Sequence, residues 1–386
     1  MSPTDLPLPS GRPRTLDEAR EWMRRKLQAR EHPMNLVPPA QGMAVIDGLS
    51  GLDGANWGDA WGRAGQEVLR EADAAAARCD ATAAAALYLQ AHGLFFLGRF
   101  PCPNHPRKLE NAVREREAYL SAAKYFRWPT QRVVLAFQGL PGDGGELVFL
   151  YRRPEGVERP SVVMMWGGVD AWKEQLTATS DALLARGIAT IAIDNPGTGE
   201  SPVRADTQGE RQFVPVLDWL ASNPQLRGHR VGLFGRSFGG YWATKLAHTH
   251  ADRIAGAVSW GGGAHHMFQR DWVEASRYPD SYLMELAETR SRMLGARDDT
   301  QYIEFFGRLS LLDQGLLDRP CAPLLLVNGV DDRQCPVADI HLLTQHGSPK
   351  TVRLFPGGHM GHSPQTVPTM VEWLALQLQC RESAVA

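Results

Sequence analysis

One ten-residue segment, Val231-Gly-Leu-Phe-Gly-Arg-Ser-Phe-Gly-Gly240, constrains the fold of this chain more than any other. A strand-like apolar run enters the pattern Gly-x-Ser-x-Gly, and a helix-like segment follows over 241–250. A serine on such a sharp strand-to-helix turn has a strained backbone and an exposed hydroxyl. Gly235 and Gly239 are needed there because side chains at these positions would clash across the turn. The segment predicts that Ser237 is a nucleophile; the alternative is a structural Gly-rich turn.

Two later loops contain the partners that such a serine needs, the acid first and the histidine second. Residues 323–329 form a short apolar run that predicts a buried strand, and a loop with Asp332 follows it directly. Residues 351–355 predict another strand, and the Gly-Gly-His turn at His359 comes next. Polar residues at the carboxyl ends of neighbouring strands meet at one edge of a sheet. We therefore predict that His359 is the general base and that Asp332 fixes its orientation.

Each partner has a rival nearby in the sequence. Asp332 has the usual spacing within its loop, which favours it over Asp331. Asp339 is predicted to cap the helix that begins near Pro336. His362 lies in the same loop as the proposed base and is the alternative to it.

The oxyanion of acyl chemistry needs hydrogen-bond donors. The backbone N–H of Phe238, the residue after the nucleophile, is the first candidate. The second is expected in the loop after the strand over 161–166, where Gly167 and Gly168 let the backbone approach a substrate closely. We favour the N–H of Gly168 or Val169, with Asp170 orienting this loop; the alternative is a glycine pair needed only for a tight turn.

Two Gly-rich segments and a histidine pair carry weaker signals. Residues 194–201, Asp-Asn-Pro-Gly-Thr-Gly-Glu-Ser, lack the third glycine of a dinucleotide loop and the lysine of a P-loop. They predict a loop beside the nucleophile. Residues 48–62 follow no strand and are interpreted as a connecting loop. His265 and His266 are adjacent and make a poor metal pair; we predict that His265 lines the pocket, with a structural role as the alternative. We expect neither a cofactor nor a metal.

The chain divides into two patterns near residue 130. The first part, 1–129, is helical, with helices predicted at 15–30, 60–77, 82–97 and 106–126. The second part, 130–386, alternates strands and helices. Its eight strands are predicted at 131–137, 146–152, 161–166, 188–193, 230–234, 254–259, 323–328 and 351–355. Helices are predicted at about 174–186, 208–222, 239–250, 337–346 and 365–379.

This alternation predicts an α/β fold with a mostly parallel eight-stranded sheet and helices on both faces. The first two strands have no helix between them and are expected to form an antiparallel edge. An insertion over about 264–318 separates two core strands, and its pattern predicts helices at 280–294 and 300–313. We expect this insertion to help to roof the site.

Composition excludes several classes of function. The net charge of -2 gives no electrostatic reason to bind nucleic acid or an anionic membrane. We find no apolar run long enough to span a membrane and no signal peptide at the N-terminus. The cysteines are scattered and odd in number, which predicts reduced thiols in a cytoplasmic protein. They are Cys79, Cys102, Cys321, Cys335 and Cys380.

These motifs resemble the α/β-hydrolase superfamily. The resemblance covers about 130–380 and depends on Gly-Arg-Ser-Phe-Gly-Gly at Ser237, Gly-Val-Asp-Asp-Arg-Gln-Cys-Pro at Asp332 and Gly-Gly-His at His359. The helical N-terminal part, with Trp-Gly-Gly-Val-Asp at 166–170 and the motif at 194–201, extends it over nearly the whole chain. The narrower group contains 2,6-dihydroxypseudooxynicotine hydrolase, the fungal Ayg1-type polyketide-shortening hydrolases and FrsA-like proteins.

The resemblance implies an N-terminal helical cap over the Ser237 site and a homodimer. Some members of the group cleave a C–C bond next to a ketone, others are esterases, and some FrsA-like proteins have been proposed to be regulatory. We therefore expect a serine hydrolase acting on a small-molecule acyl or ketone substrate, with C–C bond hydrolysis as the first hypothesis. Ester or thioester hydrolysis is the second. A regulatory or binding protein on a hydrolase scaffold is the third, and an intact set of Ser237, Asp332 and His359 argues against it.

Overall fold

The computed structural model describes residues 8, 9 and 11–380, and of Cys380 only the backbone. The chain forms two compact units. One contains Arg12–Thr130 and Tyr282–Thr289; the other contains Gln131–Ser281, the chain from Arg290 onward and the described residues before Arg12. The segment Tyr282–Thr289 was predicted to belong to the insertion of the second part. It groups instead with the helical unit.

The first unit is built from helices. They are α1 Leu16–Gln28, α2 Pro39–Gly48, α3 Gly54–Ala77, α4 Ala81–Arg99 and α5 Pro106–Ala123. The Thr15 hydroxyl caps α1, and the Glu18 side chain accepts a hydrogen bond from the Thr15 backbone N–H in return. The sequence analysis missed α2, because Gly42 and the prolines around it are not typical of a helix.

The interpretation of residues 48–62 as a loop is wrong, since α3 begins at Gly54. The glycines of this segment serve helix packing. A Cβ on Gly58 would lie 2.8 Å from the Cβ of Arg107, and one on Gly62 would lie 2.6 Å from the Asn111 amide. Small residues therefore let α3 approach α5 more closely than larger side chains would allow.

Helix α4 is the central helix of this unit. It packs against α3 and α5, and Phe95 and Phe96 are completely buried. Contrary to the sequence expectation, α4 is long and apolar enough to cross a membrane by length and composition, with a mean hydropathy of 1.2. About half of that window, 56%, is buried inside the protein. Its composition fits a core helix that is enclosed by its neighbours.

The second unit contains an eight-stranded sheet. Its strands are β1 Thr130–Ala136, β2 Glu146–Arg152, β3 Ser161–Trp166, β4 Ala189–Ile193, β5 Arg227–Arg236, β6 Ile254–Trp260, β7 Leu324–Gly329 and β8 Thr351–Phe355. Their order is β1-β2-β4-β3-β5-β6-β7-β8. Strand β2 pairs antiparallel with β4, and the six strands from β4 to β8 in this order are parallel. The predicted α/β fold with a mostly parallel sheet is confirmed.

Helices cover both faces of this sheet. On β5, a Cβ at Gly232 would contact Leu374 of the C-terminal helix, whereas one at Gly235 would contact Ala243 of the helix that follows Ser237. Because residues an odd number apart in a strand face opposite ways, these two helices lie on opposite faces. From β3 the chain adds β4 on one side and then β5 on the other side, so the order in which strands are added reverses at this point. Open α/β sheets bind their ligands at such a switch point.

The helices of this part are close to those predicted, except in the insertion. They are α6 Thr177–Leu184, α7 Phe213–Ser222, α8 Phe238–Thr249, α9 Arg270–Ala275, α10 Leu286–Leu294, α11 Asp299–Gly307, α12 Val337–Gln345 and α13 Thr366–Cys380. The helix expected to begin at 280 begins at Leu286, and the one expected at 300–313 ends at Gly307. The short helix α9 was missed.

Candidate active site

Ser237 lies on a sharp turn between β5 and α8. Its backbone has φ 55° and ψ -128°, a left-handed conformation that side chains rarely adopt. A Cβ on Gly235 would lie 2.1 Å from the carbonyl oxygen of Gly239, and one on Gly239 would lie 2.3 Å from that of Gly167. Both glycines are therefore required by the close approach of backbone, as the sequence predicted.

His359 reaches the serine from the loop after β8. Its Nε2 lies 2.8 Å from Ser237 Oγ, and its side chain is 14% exposed. Its Nδ1 lies 2.8 Å from Asp332 Oδ2. In the tautomer that donates from Nδ1 to the carboxylate, Nε2 is free to accept the serine proton. The rival, His362, is exposed further along the same loop.

Asp332 lies in the loop after β7, and its carboxylate is completely buried. While Oδ2 faces His359, Oδ1 accepts the backbone N–H groups of Gln334 and Cys335 at 2.7 and 3.1 Å. These bonds hold the carboxylate in one orientation. Asp331 is exposed, and its backbone N–H binds Gly357 O at 3.0 Å.

The prediction that Asp339 caps a helix beginning near Pro336 is wrong. That helix has no side-chain cap, and Asp339 is completely buried. Its carboxylate accepts the backbone N–H groups of His265 and His266 at 2.9 and 2.7 Å. It therefore satisfies the donors of a distant turn after β6, a long-range contact that sequence spacing does not reveal.

Asn328 connects the acid loop to the base loop. Its Oδ1 accepts the N–H of Met360, the residue after the histidine, at 3.0 Å. Its Nδ2 donates to the carbonyl oxygen of Cys335 at 3.0 Å. The side chain is buried at the end of β7 and joins both loops with two hydrogen bonds. Sequence reasoning missed this role; the only signal was an Asn-Gly pair at the end of a predicted strand.

Asp332 and His359 also belong to a group that could hold a metal ion by distance alone. The ligand atoms of Asp332, Cys335 and His359 all lie within 4.8 Å of one another. Burial, and after it the charge of Asp332, raises the pKa of the Cys335 thiol well above its usual value. A protonated thiol is a poor metal ligand, because metals bind the thiolate. Both ring nitrogens of His359 are already engaged, so the group fits a proton relay better than a metal centre.

The loop after β3 lies against the serine. A Cβ on Gly168 would be 3.0 Å from the Cβ and 3.2 Å from the Oγ of Ser237. Asn195 donates from Nδ2 to the carbonyl oxygens of Gly167 and Gly168 at 2.5 and 3.1 Å. In a trans peptide the N–H points opposite to the C=O, so the N–H groups of Gly168 and Val169 point away from Asn195.

The other expected donor belongs to Phe238. This residue begins α8, and its N–H has no acceptor within the helix. Asp170 is buried at the end of the loop after β3. Asn195 is the side chain seen to hold that loop, and it was not among the predicted residues.

A buried group of charges anchors the segment that carries Asn195. Lys173 Nζ lies 2.8 Å from Asp194, 2.9 Å from Glu174 and 2.8 Å from Glu200. Burial alone would lower the pKa of Lys173, but the three carboxylates outweigh it and raise that pKa. Lys173 therefore stays charged, and it ties residues 194–201 to the start of α6. These residues form a loop beside the nucleophile, as the sequence predicted.

His265 lies in the turn after β6. Its Nδ1 lies 2.7 Å from Ser310 Oγ and 3.1 Å from Gln269 Nε2, and it is half-buried. The contacts found for it within the described part of the chain are with the insertion and Asp339. Its role in lining the pocket remains a prediction.

Comparisons with known proteins show the family to which this chain belongs. A profile of the family described as esterase FrsA-like matches residues 41–378. The 2,6-dihydropseudooxynicotine hydrolase of Paenarthrobacter nicotinovorans is 30% identical over 232 residues, 57% of this chain and 61% of that protein. Esterase FrsA of Yersinia pestis (strain Pestoides F) is 29% identical over 290 residues, 73% of this chain and 66% of that protein. The matched regions thus span just under two thirds of the length of these relatives.

Solved structures show the same architecture. The crystal structure of 2,6-dihydroxy-pseudo-oxynicotine hydrolase has a TM-score of 0.75 and 24% identity, covering 93% of this chain and 96% of that one. Wild-type AbyA5 has a TM-score of 0.72 and 22% identity, covering 96% and 97%. At these identities the likeness concerns the fold, which it shows over nearly the whole chain.

Proposed function

Because this chain belongs to the FrsA-like esterase family of α/β hydrolases, we propose that it is a serine hydrolase with Ser237 as nucleophile, His359 as general base and Asp332 as the orienting acid. The family supports an esterase-like hydrolase. The geometry supports the roles given to Ser237, His359 and Asp332, and labelling and kinetic experiments test them.

One observation carries the proposal: two 2.8 Å contacts link Ser237 Oγ to His359 Nε2 and His359 Nδ1 to Asp332 Oδ2. The serine has the strained backbone of a nucleophile elbow. The acid is buried with its second oxygen occupied by two backbone N–H groups, so it can stabilise the imidazolium that forms during attack. A cluster with only a structural role would not need a serine, a histidine and a buried carboxylate linked in this order.

The chemistry begins when His359 takes the Ser237 proton and Oγ forms a bond to a substrate carbonyl carbon. The N–H of Phe238 and an N–H of the Gly167-Gly168 loop stabilise the resulting oxyanion. When the carbonyl re-forms, the bond to the leaving group breaks, and the leaving group keeps the electron pair of that bond. His359 then returns the proton to that group. Water, activated by His359, attacks the acyl-serine and releases a carboxylic acid.

We infer that the scissile bond is a C–C bond next to a ketone. The leaving group is then an enolate, whose charge the neighbouring carbonyl stabilises, and the proton from His359 goes to carbon. The related hydrolase that acts on 2,6-dihydropseudooxynicotine supports this assignment. The first substrate class is therefore a 1,3-dicarbonyl-like or aromatic acyl compound.

Ester hydrolysis is the second candidate, and the family description as an esterase favours it. The same three residues would act, with an alkoxide as leaving group. Rates on a matched pair of aryl esters and aryl 1,3-diketones separate the two reactions.

The first experiment is labelling with a fluorophosphonate probe, read by intact mass. Wild type should gain one adduct, Ser237→Ala none, and Ser222→Ala, a control at a distant serine, one. A folded wild type that gains no adduct would contradict the hydrolase proposal and favour a regulatory or binding protein on this scaffold. Labelled enzyme justifies the ester and diketone panel, on which Ser237→Ala should lose several orders of magnitude in rate.

A further inference from the structure

Arg290 on α10 is a buried cation in the same unit as Ser237. It is 4% exposed. Its Nη1 donates to Ser276 Oγ at 3.0 Å, and its Nε is buried without a hydrogen-bond partner. Within the described residues no carboxylate lies within ion-pair distance of it. A guanidinium has five N–H donors, so most of its hydrogen-bonding capacity is left over.

Other buried cations of this protein are neutralised in a way that Arg290 is not. Arg99 is just as buried, but its Nε lies 2.6 Å from Glu115. Lys173 is surrounded by three carboxylates. Among the described residues, Arg290 has the neutral Ser276 hydroxyl and the ring of Phe306, with its Cζ 4.9 Å from the centroid. A cation–π contact offsets only a small part of the cost of burying an unpaired charge.

A ring contact and an electrostatic effect relate this cation to the proposed active site. The Phe306 ring stacks on Phe238, the residue after the nucleophile, with centroids 6.0 Å apart and planes 22° apart. The charge of Arg290 also acts on the Cys335 thiol and opposes the rise of its pKa that burial causes. Cys335 Sγ lies within 4.8 Å of a ring nitrogen of His359. The guanidinium is thus linked through Phe306 to the residue after the nucleophile, and its charge acts on the acid loop.

We propose that Arg290 binds an anionic oxygen of the substrate, a carboxylate or phenolate carried by the acyl compound that Ser237 attacks. The unpaired donors of Arg290, with the buried Nε among them, are matched by the two lone-pair-rich oxygens of a carboxylate, which guanidinium binds in a bidentate manner. The inference rests on the proposed hydrolase function and narrows its substrate to acidic aromatic or acyl compounds. A neutral substrate would leave the cation buried without a counter-ion.

Binding to a variant without turnover tests the proposal directly. Ser237→Ala is titrated with benzoate, salicylate and 3-phenylpropionate and with the corresponding amides, by calorimetry. The acids should bind about 10- to 100-fold more tightly than the amides, the range expected for a charged hydrogen-bonding partner. Adding Arg290→Met should abolish this preference. Adding Arg292→Met, an exposed arginine on the same helix, should retain it. Equal binding of acids and amides by Ser237→Ala would overturn the proposal.

Kinetics provide a second test with wild type, Arg290→Lys and Arg290→Met. The substrates are the mono-4-nitrophenyl ester of glutaric acid and its neutral ω-amide. The ratio of their kcat/KM values should favour the acid in wild type, fall partly in Arg290→Lys and fall to about one in Arg290→Met. A ratio that is unchanged in folded Arg290→Met would refute the role. If Arg290→Met does not fold, the kcat/KM ratio of Arg290→Lys and the preference of Ser237→Ala for acids over amides still test whether Arg290 binds the anion.

The two proposals fail in distinguishable ways. A wild type without fluorophosphonate adduct contradicts the serine hydrolase, while the acid-over-amide titration still tests Arg290. A labelled wild type without any preference for acids contradicts the role of Arg290 and leaves the hydrolase intact.

Discussion

Replacing Asn328 by alanine should separate the loop that carries the acid from the loop that carries the base. The side chain is 1% exposed and makes three hydrogen bonds, to Met360 N–H at 3.0 Å, Gly329 N–H at 2.9 Å and Cys335 O at 3.0 Å. Together with the Asp332–His359 contact, these bonds join the loop after β7 to the loop after β8. Asn328 is a positioning residue, because it acts on Asp332 and His359 through the loops that hold them.

The size of the effect follows from these bonds. A net loss of about 1 kcal/mol for each of three hydrogen bonds gives about 3 kcal/mol of unfolding free energy. For a unit of this size, that lowers Tm by about 6–12 °C. Since the Asp332–His359–Ser237 contacts depend on sub-ångström placement, we expect the rate of Ser237 acylation to fall about 10- to 100-fold.

The assay is the second-order rate of fluorophosphonate labelling, measured well below Tm. Ser180→Ala is the matched control, since Ser180 is also buried and bonds Arg152 and Thr190 at 3.1 and 2.7 Å away from the site. It should lower Tm and leave the labelling rate unchanged. Asn328→Ala that is destabilised like the control but labels at the wild-type rate would refute the positioning argument.

Three further predictions test other parts of the site and fold. Gly168→Ala places a Cβ 3.0 Å from that of Ser237; kcat/KM should fall about 10- to 100-fold through displacement of the nucleophile, while Tm stays within a few degrees, and a normal rate would contradict the close approach. Lys173→Met leaves two buried carboxylates and the half-buried Glu200 without their cation and should cost about 3–5 kcal/mol in a denaturant titration, so a variant as stable as wild type would show that the network contributes nothing. His248 has its pKa lowered from 6.5 to about 4, chiefly by burial; as pH falls through this range the unfolded state takes up the proton first, so the fold should lose about 3 kcal/mol between pH 6.5 and 4. His248→Gln should reduce that loss, and an identical pH profile would contradict it.

Several features were predictable because their causes are local. The sharp turn at Ser237 needs glycines two residues away on either side, and the sequence contains both. Strand boundaries at 146–152, 161–166 and 351–355 agree with the structure to the residue, since buried strands read as short apolar runs between turn residues. The order of acid and base loops follows from chain direction in a parallel sheet.

Other features depend on residues that are far apart in the chain. Glycines in α3 looked like loop residues because only the packed neighbour Arg107 or Asn111 explains them. Asp339 resembled a helix cap because its true partners, the N–H groups at 265–267, lie more than seventy residues away in sequence. Propensity and spacing describe neighbours along the chain and cannot register such contacts.

The sequence alone thus determined the fold class, the order along the chain of the loops that carry Asp332 and His359, and the three residues proposed for catalysis. Each of these follows from short-range sterics and periodicity. Only the tertiary structure decided what supports and completes them. No motif reveals the roles of Asn195, Asn328 and Arg290. These roles arise because burial forces polar groups to find partners wherever the folded chain brings them together. For Arg290 the described chain brings no carboxylate, and that is the physical reason to look for the partner in the substrate.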